Sequence, residues 1–307
     1  YTTRTLAYCP GLVRLPSGRV VCVFVGQEST GYQSIRSICS DDDGATWALL
    51  SPRIVPTTYN SATTLLRRIR AAYSQGQILI TIGYAQGATD AVAQLASYDD
   101  GATATIIAGL DGTTAGLALG GYQEVVALPA GGFLLAYLST ADQYPYSYRI
   151  ASAEEPFAYA STQATVVAAG ATWGTLTGSF LTDADIVLAV DEAGTAYLTG
   201  RLAGGNDQWI SFRSIDQGTT WEAMGETTGL QAGAWHLPPT VAGSGPVDAG
   251  GCWYRGSLLL CHSSQSPVAS AGASQQWISR LGGWRSLTMP ALYSGSDEAD
   301  QCTWEGT

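Results

Sequence analysis

Two short patterns recur along this chain and keep a fixed distance from each other, and few folds allow that. The first pattern is an alternating apolar run, a turn ending in glycine, and a second apolar run. It appears as GLVRLPSGRVVCVFV around Gly18, AAYSQGQILITIGY around Gly76 and EVVALPAGGFLLAYL around Gly132. It continues as VLAVDEAGTAYLTGR around Gly194 and GGCWYRGSLLLCHSS around Gly256, with the glycines 58, 56, 62 and 62 residues apart. The second pattern is an acidic frame: SDDDGATW from Ser40, SYDDGATA from Ser97 and SIDQGTTW from Ser214. From each turn glycine to the serine that follows there are 22, 21, 20 and 20 residues, counting Ser152 of the decayed frame SAEEPFAY. In the fifth unit SRLGGWRSL after Ser279 is a shortened remnant.

Each unit therefore reads as strand, tight turn, strand, variable loop, strand, acidic turn, strand. Four antiparallel strands per unit of this length predict an all-β chain, a β-propeller of four-stranded antiparallel blades. Five units are visible and a sixth begins at DQCTWEGT. The expected plan is six-bladed with an incomplete last blade, five blades being the alternative, and residues 1–307 forming a single propeller domain, part of a longer chain. The opening YTTRTLAYCP reads as processed or excised.

Composition narrows the function. With 46% apolar residues the chain can bury a sizeable core, and its apolar runs are about half of what a membrane span needs. All 14 basic residues are arginine and the net charge is −11, which argues against a nucleic-acid partner and leaves glycans open. The six cysteines have no C-x-x-C spacing and the two histidines, His236 and His262, complete no zinc set, so no metal and no cofactor is expected. Cys252 and Cys261 are placed symmetrically about Gly256 and Ser257, opposite each other on a hairpin. A disulfide there, or between Cys22 and Cys39, stands against a reading as buried thiols.

The acidic frame carries a turn mechanism of its own. The aspartate at its third position accepts bonds from nearby backbone N–H groups, glycine supplies a backbone conformation other residues resist, and the tryptophan packs between sheets. The flanking Asp41 and Asp43 offer too few ligand positions for a calcium loop. The frame S-x-D-x-G-x-T-W resembles the Asp box, or BNR repeat, of the sialidase-like propellers, and two of the three copies match every position. The resemblance implies that Ser40, Asp42, Gly44, Trp47, Ser97, Asp99, Gly101, Ser214, Asp216, Gly218 and Trp221 are structural and lie on the rim, away from the central pocket.

The same resemblance tells where chemistry would be sought: three arginines clamping a carboxylate, a tyrosine nucleophile with its glutamate, and an aspartate acid/base. The first arginine belongs to an R-I-P motif before the first strand, and Tyr8 stands in its place. The second falls on Arg201 in AGTAYLTGR, and the glutamate one strand earlier on Asp185. The third arginine is missing from SPVASAGASQQW. The nucleophile's frame points to Asp297, with Tyr293 out of frame by four, and the acid/base position offers Glu28. A clamp without two of its arginines loses its bidentate grip, so the usual sialidase mechanism is not expected.

Three functions compete. One is a glycan-recognising propeller on a cell or virion surface, an adhesin or receptor-binding module, with Arg201, Tyr8, Tyr146, Trp173, Trp235 and His236 as ligand-binding candidates on aromatic-bearing loops. Another is a glycoside hydrolase or lyase working through a carboxylate pair drawn from Asp185, Glu28 and Asp297. The third is a structural propeller packed against neighbouring subunits of a larger assembly.

Overall fold

The computed structural model of the chain describes residues 10–29, 31–86, 89–110, 117–118, 123–138, 144–156, 163–165, 186–201, 209–223, 234–235, 249–254, 257–265, 274–280 and 287–288. The runs rich in Val, Ile, Leu, Thr and Tyr pair as antiparallel strands. The first sheet is β1 (Gly11–Arg14), β2 (Val20–Ser29), β3 (Tyr32–Ser40) and β4 (Ala48–Ser51), with β5 (Tyr59–Asn60) also on β3. In the second, β6 (Thr64–Ser74), β7 (Gln77–Gln86) and β8 (Thr89–Ser97) lie in order, and both β9 (Thr105–Ala108) and β10 (Leu117–Ala118) pair with β8. The third is β11 (Gln123–Ala127), β12 (Phe133–Leu138), β13 (Pro145–Ile150) and β14 (Gln163–Thr165). The fourth is β15 (Ile186–Val190), β16 (Ala196–Arg201), β17 (Trp209–Ser214) and β18 (Glu222–Ala223), with β19 (Ala234–Trp235) on β17. The fifth is β20 (Ala249–Tyr254), β21 (Ser257–Gln265), β22 (Ser274–Arg280) and β23 (Leu287–Thr288).

The first strands lie side by side in chain order: β1 on β6, β6 on β11, β11 on β15 and β15 on β20. The core lies between the sheets. Val21, Val23 and Val25 pack against Ile78, Ile80 and Ile82 between the first and second sheets. Leu79 and Val92 meet Phe133 and Leu135 between the second and third. Leu134 and Ala136 meet Leu198 and Phe212 between the third and fourth. A sheet covered on both faces needs continuous apolar strands, which is why ILITIGY on β7 shows no polar alternation.

Antiparallel order also fixes two ends. The hairpins joining first to second strands and the acidic turns joining third to fourth strands share one end. Arg19 in the first hairpin ties this together, donating from Nε and Nη2 to Asp41 Oδ1 and Oδ2 at 2.7 and 3.1 Å. The starts of the first strands and the loops between second and third strands lie at the other end.

Several expectations need correction. In the third unit Gly131, and not Gly132, holds the place of Gly18: its N–H donates to Leu128 as that of Gly18 donates to Leu15, both at 2.9 Å. Cys252 and Cys261 are not opposite each other, because the register runs from Tyr254↔Ser257; Cys252 pairs with Leu259 and Cys261 with Gly250. Cys22 and Cys39 are buried free thiols on successive register positions, which point to opposite faces of the sheet. The described residues contain no helix long and apolar enough to cross a membrane.

Candidate functional site

The three acidic turns share one hydrogen-bond plan. Ser40 Oγ donates to Asp42 Oδ1 at 2.7 Å and accepts from the Gly44 amide at 2.8 Å. Asp42 also holds Thr46, whose amide donates to Oδ1 at 2.7 Å and whose hydroxyl donates to Oδ2 at 2.6 Å. Ser97, Asp99, Gly101 and Thr103 repeat these bonds, as do Ser214, Asp216, Gly218 and Thr220. In each turn the residue before the glycine and the glycine itself are left-handed: Asp43 and Gly44 at φ 57° and 93°, Asp100 and Gly101 at 57° and 85°, Gln217 and Gly218 at 59° and 89°. Two left-handed residues in succession explain the glycine. Bonds from the Thr46 side chain and backbone and from Ser40 pull the Asp42 carboxyl down to about 2. At Asp99 and Asp216 burial works against ionisation, but the bonds from Thr103 with Ser97, and from Thr220 with Ser214, hold each carboxyl below its usual range. Asp43 and Asp41 are not clustered for a cation; each pairs with an arginine, Arg14 and Arg19. Among the described residues no three His, Cys, Asp or Glu side chains gather as a metal site.

The opposite end carries charge of its own. On β6 the ladder with β7 jumps from Leu66↔Tyr84 to Ile69↔Ile82, so Arg67 and Arg68 together face Gly83. This is a bulge on an inner strand, a device that re-aims side chains. Two buried glutamines from the neighbouring sheets hold it. Gln33 of β3 accepts from the Leu66 amide at 2.9 Å, and Gln123 of β11 donates to the Arg68 carbonyl at 3.1 Å. The Gln123 Oε1 atom is buried without a hydrogen-bond partner, so its acceptor capacity is unspent. Arg68 is itself buried and Arg67 half-buried. One step along, Arg70 Nε is ion-paired with Glu124 of β11, their side chains 17% and 14% exposed, and Arg70 Nη1 donates to the Ile69 carbonyl at 3.0 Å.

Aromatic groups accompany the charge. Tyr146 was expected in a loop; it lies in β13, half-buried, stacked on Tyr137 with ring centroids 5.5 Å apart, and Tyr148 stacks on the same ring at 5.6 Å. The alternation Y-x-Y-x in PYSYRI is a strand period, with side chains returning to one face. This stack belongs to the packing between the second and third sheets.

Of the residues singled out by sequence, Glu28 lies near the end of β2, Arg201 ends β16 opposite Trp209, and Trp235 in β19 pairs with Trp209. All three backbone positions are at the same end as the β6 bulge. Tyr8, Trp173, Asp185, His236 and Asp297 lie outside the described residues. Arg67, Arg68, Arg70, Gln33, Gln123 and Glu124 escaped the sequence reading. The signal was there in LLRRIRAAY, where two adjacent arginines break the alternation of a strand and mark a bulge.

No family model and no curated protein sequence matches this chain. Solved structures do. The Hadza microbial sialidase Hz136 superposes with a TM-score of 0.53 at 15% identity, covering 91% of this chain and 57% of that one. The NanB sialidase from Streptococcus pneumoniae gives 0.51 at 9% identity, covering 91% and 60%. The exo-β-1,3-galactanase from Phanerochaete chrysosporium gives 0.53 at 13% identity, covering 90% and 60%. The chain thus spans less than two thirds of the length of these structures, and the likeness is one of fold: all-β, sialidase-like and propeller-like.

Proposed function

We propose that the chain is a glycan-recognising, sialidase-like propeller that binds sugars of a cell or virion surface without the full sialidase apparatus. The observation that carries this reading is the β6 bulge. Its two arginines stand on an inner strand, and buried glutamines of two neighbouring sheets clamp its backbone. A guanidinium carried on a backbone fixed in this way suits the carboxylate or hydroxyl edges of an acidic sugar. Glu28, Arg201 and Trp235 belong to strands that bring them to the same end. The acidic turns, at the other end, serve as rim structure in the manner of Asp boxes.

Hydrolysis through a carboxylate pair is the second reading, and Glu124 bears on it. It is a half-buried carboxylate at the right end, but Arg70 holds it, and a salt-bridged carboxylate makes a poor general acid. Binding is therefore favoured over hydrolysis. The test is a glycan array probed with wild type and Arg67→Gln, alongside chromogenic glycosides. Binding of acidic glycans that weakens at least tenfold in the variant, with no turnover, supports recognition. Turnover that survives in Arg67→Gln but is lost in Glu28→Gln supports the hydrolase, and neither binding nor turnover leaves the structural-assembly reading.

A further inference from the structure

Facing columns of side chains fill the seam between neighbouring sheets, because residues two apart on a strand share a face. In the first seam these columns change character at the end that carries the β6 bulge. On β2 the column toward the second sheet runs Val21, Val23, Val25 and then Gln27; on β7 the facing column runs Ile78, Ile80, Ile82, Tyr84 and then Gln86. The valines, isoleucines and Tyr84 are buried, whereas Gln27 is half-buried and Gln86 exposed. Each glutamine belongs to a polar cross-strand row: Gln27, Gln33 and Tyr59 on the first sheet, Thr64 and Gln86 on the second. One step deeper the rows are Val25 with Ile35 and Leu66 with Tyr84, all four in one apolar cluster.

The other described seams do not end this way. Between the third and fourth sheets Leu134, Ala136 and Leu138 face Ala196, Leu198 and Gly200, and all six stay buried up to the same end. The column of β12 toward the second sheet ends on Tyr137, 2% exposed and stacked on Tyr146. A seam that reaches this end therefore needs no glutamines to close it. The amides of the first seam also stand beside the bulge. Gln33, opposite Gln27, accepts from the amide of Leu66, and Arg67 is the next residue of the chain. An amide both donates and accepts without carrying charge, which is what vicinal sugar hydroxyls require, and the apolar floor suits the C–H face of a pyranose ring.

We infer that the polar mouth of the first seam binds a neutral sugar ring joined to the acidic sugar held at Arg67, so that the ligand is an acidic oligosaccharide. This rests on the recognition reading given above. Arg67 takes the charge, and Gln27 and Gln86 take hydroxyls of the next ring, one from each sheet. Thr64, half-buried and opposite Gln86, adds its hydroxyl to the same row.

Calorimetric titration of the full chain tests this by comparing free N-acetylneuraminic acid with sialyllactose, and glucuronic acid with a hyaluronan tetrasaccharide. In at least one series the oligosaccharide is expected to bind the wild type about tenfold or more tighter than its acidic monosaccharide. In the double variant Gln27→Ala, Gln86→Ala that advantage is expected to shrink to about twofold or less, with Tm within about 2 °C of wild type, as surface substitutions leave it. Arg67→Gln is expected to weaken monosaccharide and oligosaccharide alike. An advantage that survives in the double variant would overturn the inference and leave the recognition reading standing, as would equal affinities for both ligands in the wild type. A wild type that binds no sugar of either series would overturn both.

Discussion

Ser147 Oγ lies 3.0 Å from the Gly218 carbonyl and 3.0 Å from the Trp221 indole nitrogen, so one buried hydroxyl serves as donor and acceptor between two sheets. Its replacement by alanine leaves the carbonyl without that donor and removes one of the two acceptors shared by the indole. Ser147→Ala is expected to cost about 2 kcal/mol, read from urea unfolding with an unchanged m value. A cost below about 0.5 kcal/mol would mean that water replaces the hydroxyl.

Gly218 is constrained twice, by its left-handed backbone and by Leu134. Gly218→Ala should cost about 3 kcal/mol, part of it steric, while Leu134→Ala opens a cavity costing 2 to 5 kcal/mol on its own. In the double variant the new methyl occupies space that the leucine vacated. The double-mutant cycle is expected to show at least about 1 kcal/mol of favourable coupling, and strict additivity would argue against the contact.

The acid limb of stability follows from the turn aspartates. Their folded pKa values lie below the ordinary value, about 2 in the case of Asp42, so the stabilisation they provide is complete above the unfolded pKa of about 3.9. It is lost as pH falls through the folded values. Thermal melts should therefore change little from pH 7 to 5 and drop steeply between about pH 4 and 2. Asp216→Asn should lower Tm at pH 7 and flatten that acid slope, since asparagine does not ionise.

Arg70 and Glu124 make an asymmetric pair to break. Removing the arginine strands a half-buried carboxylate, whereas Glu124→Gln keeps an acceptor near a cation that has the Ile69 carbonyl as well. Arg70→Ala is expected to cost about 2 kcal/mol and Glu124→Gln about half as much, measured by chemical denaturation. Equal costs would mean the pair contributes only through charge cancellation.

The repeat was legible because its signals are local. Gly18, Gly76 and Gly194 mark hairpins through their own backbone, and Ser40, Asp42 and Thr46 close a turn within seven residues. The ties between sheets were not legible, since Ser37, Gln94 and Ser147, which donate to Gly101, Ala153 and Gly218 of the next sheet, look like ordinary polar positions until the partner sheet is in place. The β6 bulge also needs pairing to be seen, because only the jump from Tyr84 to Ile82 shows that Arg67 and Arg68 share one partner. The tyrosines of β13 were misplaced for another reason: proline and glycine-like punctuation around DQYPYSYR outweighed a two-residue period that was in plain view. The packing role expected of the frame's tryptophan holds for Trp221 and fails for Trp47, a difference that no letter of SDDDGATW encodes.

The contacts between successive sheets have a sense of direction. Each of the first three described sheets gives from its third strand, through Ser37, Gln94 or Ser147, to the turn of the sheet that follows, like a hook entering an eye. Such a contact cannot be satisfied by two identical faces meeting head to head; it adds units in one rotational order. A unit can be inserted, duplicated or exchanged provided it brings both fittings. The drift of the third unit away from the acidic frame is tolerated on those terms, because its backbone carbonyls still accept Gln94 while its own Ser147 still gives to the next.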